Sequence, residues 1–230
     1  MSRIGIRMTT LAIALAAILA AAPAQAQSPD DWYVAGALTG SFLNDPRQTV
    51  ANAPVAGSTL HVINHVDSGW GLQAEFGHAF RHLRIEAEIG HTKNRPHSYT
   101  ATSPLSVTVS QTGEFAATRY MANGYYDLLD GPVHPYLGAG TGVVRVHVVT
   151  IGPRAPFPTE QPRTLIDDSA SHFAWQLMAG ASLAAGRHLA FTAQYRWFDA
   201  GTINGHDLRG QRLTEKISSH NVDVGMRFTF

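Results

Sequence analysis

Apolar and polar side chains alternate one by one along most of this chain, and this period limits the folds open to it. The pattern is clearest at the C-terminal end, where the apolar residues at every second position are Val222, Val224, Met226, Phe228 and Phe230. A period of two is typical of a β-strand with one apolar and one polar face. The chain is therefore predicted to be all-β.

Eight segments carry the pattern and predict eight strands. They cover residues 32–42, 66–80, 83–90, 120–128, 136–148, 173–183, 189–197 and 222–230. The segment 136–148 is rich in glycine, and its phase is ambiguous because the parity of its apolar residues changes near Val143.

The breaks between these segments differ in length. Short breaks lie at 81–82, 129–134 and 185–187, and long polar ones at 43–65, 93–113, 149–170 and 199–215. The long breaks hold most of the prolines, Pro96 among them, and are expected outside the sheet because proline cannot donate to a ladder. Short turns at one end and long loops at the other are typical of outer-membrane barrels. The predicted fold is an all-β, transmembrane, eight-stranded antiparallel up-and-down β-barrel.

The amino-acid composition further narrows the functions and sites that the chain can have. Only 15% of the residues are charged, and 17 Lys and Arg balance 17 Asp and Glu. This balance argues against a nucleic-acid partner, which would require a cationic surface. The chain has no cysteine, which excludes disulfides, zinc–thiolate sites, iron–sulfur clusters and thiol catalysis.

The first 26 residues have the organisation of a signal peptide. Arg3 and Arg7 are followed by an apolar stretch at 11–22, and small residues lead up to Ala26. We predict cleavage after Ala26, which leaves residues 27–230 as one barrel domain. The alternative, a retained membrane helix, needs about 20 apolar residues, and this stretch is shorter.

Alternation alone does not say which face is inside, since a soluble barrel also alternates, with an apolar interior. Aromatic residues on the apolar phase favour a lipid-facing wall bounded by two girdles. We expect the loop-end girdle to consist of all four tryptophans with Phe42 and Tyr120. Trp32 is also assigned to the second girdle, at the turn end. The girdle residues are Trp32, Phe42, Trp70, Phe80, Tyr120, Tyr126, Trp175 and Trp197, with Phe228 and Phe230 at the turn end.

The polar phase carries charged residues that should then point into the lumen. They are Glu75, Arg84, Glu86, Glu88, Arg119, Asp127, Arg196, Asp223 and Arg227. The turn at 81–82 places Glu75 roughly opposite Glu88, and two buried carboxylates there need cations or a shared proton. We expect Arg196, with Arg119 or Arg227, to bridge to both glutamates and close the lumen. A pair of catalytic carboxylates is disfavoured because a narrow lumen leaves no room for a sugar.

Other motifs indicate no cofactor, metal or catalytic site. His61 and His65 are expected in a long loop without the further ligands of a metal site. Ser218 and His220 share the lipid-facing phase near Glu215, so a lipid-modifying enzyme is an alternative, although interfacial polar residues explain these positions more simply. The Gly138, Gly140 and Gly142 series is expected to make room in a narrow interior.

Several stretches resemble a known family. They are 32–34 (WYV), 83–86 (LRIE), 121–127 (MANGYYD), 135–142 (PYLGAGTG) and 225–230 (GMRFTF). The chain resembles the small outer-membrane β-barrels of the OmpA-like and opacity-type surface proteins. The resemblance implies a Gram-negative outer membrane, exposed loops, and a C-terminal aromatic signal, here Phe228 and Phe230, that the barrel assembly machinery reads.

Four functions follow as hypotheses. The leading one is a monomeric, non-enzymatic envelope protein that contacts outer-membrane lipid and lipopolysaccharide and can bind an extracellular ligand through its long loops. The alternatives are a small passive pore, a lipid A-modifying enzyme and a soluble periplasmic barrel. Such barrels host many activities, so the fold alone does not choose between them.

Overall fold

The computed structural model describes residues 31–45, 47–50, 60–102, 106–152, 163–206 and 212–230. The predicted signal peptide and its cleavage after Ala26 lie outside these residues. Within them, no helix is long and apolar enough to cross a membrane. The strands are β1 (Trp32–Leu43), β2 (Arg47–Val50), β3 (Leu60–Val66), β4 (Gly69–Phe80), β5 (Leu83–Asn94), β6 (Pro96–Ala101), β7 (Val107–Ser110), β8 (Thr112–Asp127), β9 (Val133–Gly152), β10 (Arg163–Ala184), β11 (Leu189–His206) and β12 (Arg212–Thr229).

Eight of these strands form a closed antiparallel barrel. Neighbours pair in the order β1-β4-β5-β8-β9-β10-β11-β12, and β1 also pairs with β12. The closing ladder runs from Tyr33 opposite Thr229 to Leu43 opposite Ser219, so neither terminal strand is left with an open edge. The predicted eight-stranded barrel is confirmed.

The four short strands continue barrel strands beyond brief interruptions. Trp70 faces Lys93 in the β4–β5 ladder, and His65 faces Ser98 in the β3–β6 ladder, five residues further along on each side. Beyond an irregularity between His65 and Val66, the β3–β6 ladder thus resumes the register of β4–β5. In addition, β2 extends β1 along β12, and β7 extends β8 along β6, both with the pairing offset by one residue. The barrel wall therefore rises well past its loop-end girdle.

These extensions correct the prediction that the four long breaks are loops. Segment 43–65 contains β2 and most of β3, and 93–113 contains β6 and β7. The outer parts of 149–170 and 199–215 belong to β9, β10, β11 and β12. Pro96 opens β6, a position where its missing N–H group is tolerated. His61 and His65 lie on β3 rather than in a loop.

The wall divides between β10 and β11 at the loop end. Their ladder stops at the pair Trp175 and Asp199, although β10 remains paired with β9 and β11 with β12. Beyond Asp199 the register of β11 shifts, Gly201 takes a φ of 68°, and its N–H donates to Asp199 Oδ1 at 2.6 Å. The left-handed backbone at this bulge suits glycine and turns β11 away from β10.

The outer surface of the barrel is apolar and the inner surface largely polar. Leu38 on β1 is 64% exposed, whereas its neighbour Thr39 is buried and hydrogen-bonded inside the barrel. A continuous band of exposed large apolar side chains of this kind is expected where lipid, not water, covers the protein. The chain therefore presents its apolar phase outward.

The girdle residues all lie on the outer face, with one correction. Trp32 faces His78 and stacks on Phe76 at the turn end, so it belongs to the turn-end girdle alone. At the loop end Trp175 and Trp197 meet edge to face with ring centroids 4.6 Å apart, which leaves Trp197 half-buried. The backbone N–H of Phe230 donates to the carbonyl of Trp32 at 2.9 Å and helps close the barrel.

The phase of β9 is the same throughout. Leu137 and Val143 point outward, and Tyr136 and Val144 point inward. The parity of the apolar residues changes because the lumen lining itself changes along β9, from Gly138, Gly140 and Gly142 to Val144, Val146 and Val148.

Candidate functional site: the plug in the barrel lumen

Strand β5 shows how the lumen is built. Arg84, Glu86 and Glu88 are buried, while Ile85 and Ile89, which belong to the alternate positions, are exposed on the lipid face. The same alternation turns the other predicted lumen residues inward, and the structure places each of them inside the barrel: Glu75, Arg84, Glu86, Glu88, Arg119, Arg196, Asp223 and Arg227. Their contacts define a hydrogen-bonded cluster, here called the plug.

Glu88 is the centre of the plug. Its Oε1 accepts from Arg119 Nε at 2.6 Å and from Arg196 Nη1 at 2.5 Å. Its Oε2 accepts from Asn123 Nδ2 at 2.8 Å and from Gln176 Nε2 at 3.0 Å. One carboxylate on β5 thus binds donors from β8, β10 and β11, so side chains span the lumen at this level.

Arg196 crosses the lumen from the opposite wall and is completely buried. Besides Glu88, its Nη2 donates to Gln73 Oε1 at 2.8 Å and lies 3.0 Å from Asp223 Oδ2. Asp223 also accepts from Thr39 Oγ1 at 2.7 Å. These contacts tie β11 to β4, β12 and β1.

The contacts of Glu75 and Arg227 correct the expected bridging scheme. Glu75 lies directly opposite Glu88 in the ladder, but it accepts from Gln73 Nε2 at 2.7 Å and forms no ion pair within the described residues. Arg227 lies near the turn end, with its guanidinium carbon 5.4 Å from the centre of the Tyr33 ring. Among the described lumen arginines, Arg119 and Arg196 are the ones that contact Glu88.

Uncharged side chains that the sequence reasoning missed complete the plug. Gln73, Asn123, Gln176 and Gln194 supply amide donors and acceptors between the charged groups, and Gln194 Nε2 donates to Asp223 Oδ2 at 2.9 Å. The signal that could have revealed Gln73, Gln176 and Gln194 is their position on the polar phase.

Glu86 forms the turn-end layer of the plug. It accepts from Tyr33 OH at 3.0 Å, Tyr125 OH at 2.8 Å and Asn123 Nδ2 at 3.0 Å. Oxygens of Glu75, Glu86 and Glu88 come within 4.8 Å of one another, the spacing of a metal-ligand group. The donors already held by Glu86 and Glu88 fit a hydrogen-bonded network better than a metal site.

Glycines on neighbouring strands create the space that the plug occupies. A Cβ atom at Gly140 would lie 1.9 Å from Asn123 Oδ1, and one at Gly90 would lie 2.6 Å from the guanidinium carbon of Arg119. Both glycines face side chains that contact Glu88. The plug therefore requires that neither position carry a Cβ atom.

The lumen differs above and below the plug. At the loop end it is filled by apolar side chains, here called the apolar cap: Phe115, Val144, Val146, Val148, Phe198, Ala200 and Ile217. At the turn end Arg84 donates through Nε and Nη2 to Asp127 and packs on the rings of Tyr125 and Tyr136. The sequence reasoning did not identify the apolar cap.

The residues considered for catalysis or metal binding have separate partners. Ser218 Oγ accepts from Asn44 Nδ2 at 2.9 Å, while His220 Nδ1 lies 2.5 Å from Tyr195 OH. His65 contacts Asp45 and Thr100. No hydrogen bond joins Ser218 to His220 in the described part of the chain.

A closed barrel with a lipid-facing exterior and a polar lumen defines an integral membrane β-barrel. The chain belongs to the family described as "Outer membrane protein beta-barrel domain", which matches residues 12–230. The family resemblance inferred from the sequence is confirmed. A comparison with curated proteins finds no matching relative.

Several solved structures share the fold at low sequence identity. Neisserial surface protein A (NspA) is 17% identical over 90% of this chain and 100% of its own, with a TM-score of 0.54. OprG from Pseudomonas aeruginosa is 15% identical over 89% and 97%, with a TM-score of 0.50. The protease OmpT from Escherichia coli is 10% identical over 90% and 99%, with a TM-score of 0.47. At these identities, the likeness to NspA and OprG shows the fold and no activity.

Proposed function

We propose that this protein is a non-enzymatic structural component of the Gram-negative outer membrane, with a closed lumen and a surface-exposed β-extension. The observation that carries the proposal is Glu88, which is held by side chains from three other strands and blocks the lumen at its middle. A signal peptide at 1–26 and assembly through Phe228 and Phe230 belong to the same proposal.

Two further observations support a structural role. The apolar cap fills the loop end of the lumen, so a second obstruction lies above the plug. Ser218 and His220, the pair considered for lipid chemistry, are bonded to different residues. The proposal also includes, as partners, outer-membrane lipid and lipopolysaccharide around a monomeric barrel, and an extracellular ligand at the extension.

Conductance in planar bilayers tests the closed lumen. The wild-type protein should show no steady conductance. Arg196→Gln combined with Phe115→Ala should produce openings, because the first substitution removes the group that joins Glu88 to Gln73 and Asp223 and the second removes a large side chain of the apolar cap. Arg145→Gln is the matched control, since Arg145 is exposed on the outer face of β9. Steady wild-type conductance would overturn the proposal in favour of a passive pore.

Site-specific labelling tests the surface exposure of the extension. The chain has no cysteine, so a single introduced thiol is the only labelling site. Ser110→Cys, at the end of β7, should react with a membrane-impermeant maleimide in intact cells. Ala185→Cys, in the turn before β11, should react only after the outer membrane is permeabilised. The opposite pattern would contradict the proposed orientation.

A further inference from the structure

A polar cavity lies at the turn end of the lumen, on the far side of the plug from the β-extension. It has a volume of about 260 Å³ and opens between the 81–82 and 130–132 turns. A water molecule occupies roughly 30 Å³ of liquid, so the cavity has room for a small ionic group. We call it the vestibule.

The charge of the vestibule favours an anion. Three arginines line it, Arg81, Arg84 and Arg227, against two aspartates, Asp127 and Asp130. Two of these charges offset each other, because Arg84 is bound to Asp127, and the remaining ones are Arg81, Arg227 and Asp130. The formal sum of the lining is positive, which attracts anions from the periplasmic side.

On three sides of the vestibule, side-chain nitrogen atoms have no hydrogen-bond partner among the described residues. Arg84 uses Nε and Nη2 for Asp127, which leaves its Nη1 without a hydrogen bond to any described residue. Arg81 lines the cavity and takes part in none of the ion pairs between described residues. Nε2 of His134 is shielded from solvent and has no hydrogen-bond partner in the same set. Buried polar atoms are normally paired, so His134 Nε2 calls for a partner that the described residues do not supply.

The backbone at Arg81 supports the same conclusion. Arg81 is the first residue of the two-residue turn between the paired Phe80 and Leu83, and its φ is 51°. Glycine is the residue that such a turn favours at a position with positive φ. An arginine held there despite its conformational cost is a reason to look for a function of its side chain.

From this geometry we infer that the vestibule binds a phosphate group, with Arg81 and Arg84 as the charged donors and His134 as a third contact. Guanidinium groups bind phosphate oxygens through directed, charge-assisted hydrogen bonds. Two sources offer this group at the turn end, a soluble phosphate ester of the periplasm and the headgroup of an inner-leaflet lipid.

The test is a titration of the ¹⁵N-labelled full barrel in maltoside micelles, which contain no phosphate. One arm adds glycerol 3-phosphate, the other adds phosphatidylglycerol to the micelles, and both hold ionic strength constant with chloride. Backbone amide shifts at 81–84 and at 130–134 report binding. Saturation in the first arm supports a soluble ligand, and saturation in the second arm alone supports a lipid headgroup.

Arg81→Asn is the decisive variant because asparagine tolerates positive φ, so folding should be preserved. It should weaken phosphate binding about fivefold, the effect of losing one exposed ion pair. Arg187→Asn is the matched control, since Arg187 lies in the other short turn, is exposed and does not line the vestibule. No saturable shift in either arm, or equal affinity in Arg81→Asn and the wild type, would overturn the inference.

Discussion

Arg196 on β11 reaches across the barrel to Glu88 on β5, where its Nη1 lies 2.5 Å from Glu88 Oε1. Four ladder steps separate these strands around the wall, in the order β5, β8, β9, β10 and β11. The contact therefore joins opposite sides of the barrel. Because both side chains are buried, the contact offsets part of the solvation that each loses, together with Arg119 on Glu88 and Asp223 on Arg196.

Glu88→Gln should destabilise the barrel strongly. The substitution leaves Arg119 and Arg196 buried without their shared carboxylate, and breaking a buried pair in this way costs about 3–5 kcal/mol. The free energy of unfolding in urea, followed by tryptophan fluorescence in detergent, measures the loss.

Glu75→Gln is the matched control for that experiment. Glu75 accepts from Gln73 and lies beside two further carboxylates, so an amide there should cost little. Equal destabilisation by the two variants would show that Glu88 has no special position in the plug.

Gly140→Ala should destabilise the barrel by about 1–3 kcal/mol, the usual effect of overpacking. The added methyl group would lie 1.9 Å from Asn123 Oδ1 and displace a donor to Glu88. Gly124→Ala is the control, because its Cβ would have nothing within 4 Å. Unfolding midpoints of the two variants should separate clearly, and identical midpoints would contradict the proposed close packing at Gly140.

Phe115→Ala should lower stability by about 3–5 kcal/mol, as expected for a large aromatic removed from a packed core. Phe115 is buried in the apolar cap, and it lies opposite Val148 in the β8–β9 ladder. Phe173→Ala should cost much less, since Phe173 is 69% exposed on the outer face. Protease resistance of the refolded variants, together with urea unfolding, measures the difference, and a larger effect at Phe173 would count against a packed cap.

Brominated phospholipids should quench the girdle tryptophans in a depth-dependent way. In variants that retain only Trp70 or only Trp175, bromines near the headgroup should quench more than bromines at the acyl-chain ends, because both residues lie at the loop-end border of the apolar band. The measurement is steady-state fluorescence in liposomes. Absence of quenching from both variants would contradict a lipid-facing wall.

Much of the fold could be predicted because successive residues of a membrane-spanning strand face lipid and lumen in turn. Each membrane-spanning strand separates lipid from a polar lumen, so residues such as Ile85 and Glu86 report directly which way they point. The register of Glu75 opposite Glu88 also followed from sequence, since a two-residue turn at 81–82 determines the pairing of its strands.

The same logic explains what could not be predicted. Beyond the girdle both faces of the wall leave the lipid, so alternation weakens, and β2, β3, β6 and β7 were predicted as loops. In β9 the lumen lining becomes apolar at Val144, and the parity of apolar residues changes although the strand keeps its direction. Alternation reports the polarity of the surroundings, not the orientation of the backbone.

The amino-acid sequence by itself determined the strands that cross the membrane, the face that each turns to lipid and the set of charges that enter the lumen, because these depend on a local period of two. Only the tertiary structure decided that Arg119 and Arg196, rather than Arg227, contact Glu88. It also decided that Glu75 accepts a hydrogen bond from Gln73 instead of pairing with an arginine. Contacts across a barrel depend on the tilt and stagger of all eight strands, which no single strand encodes.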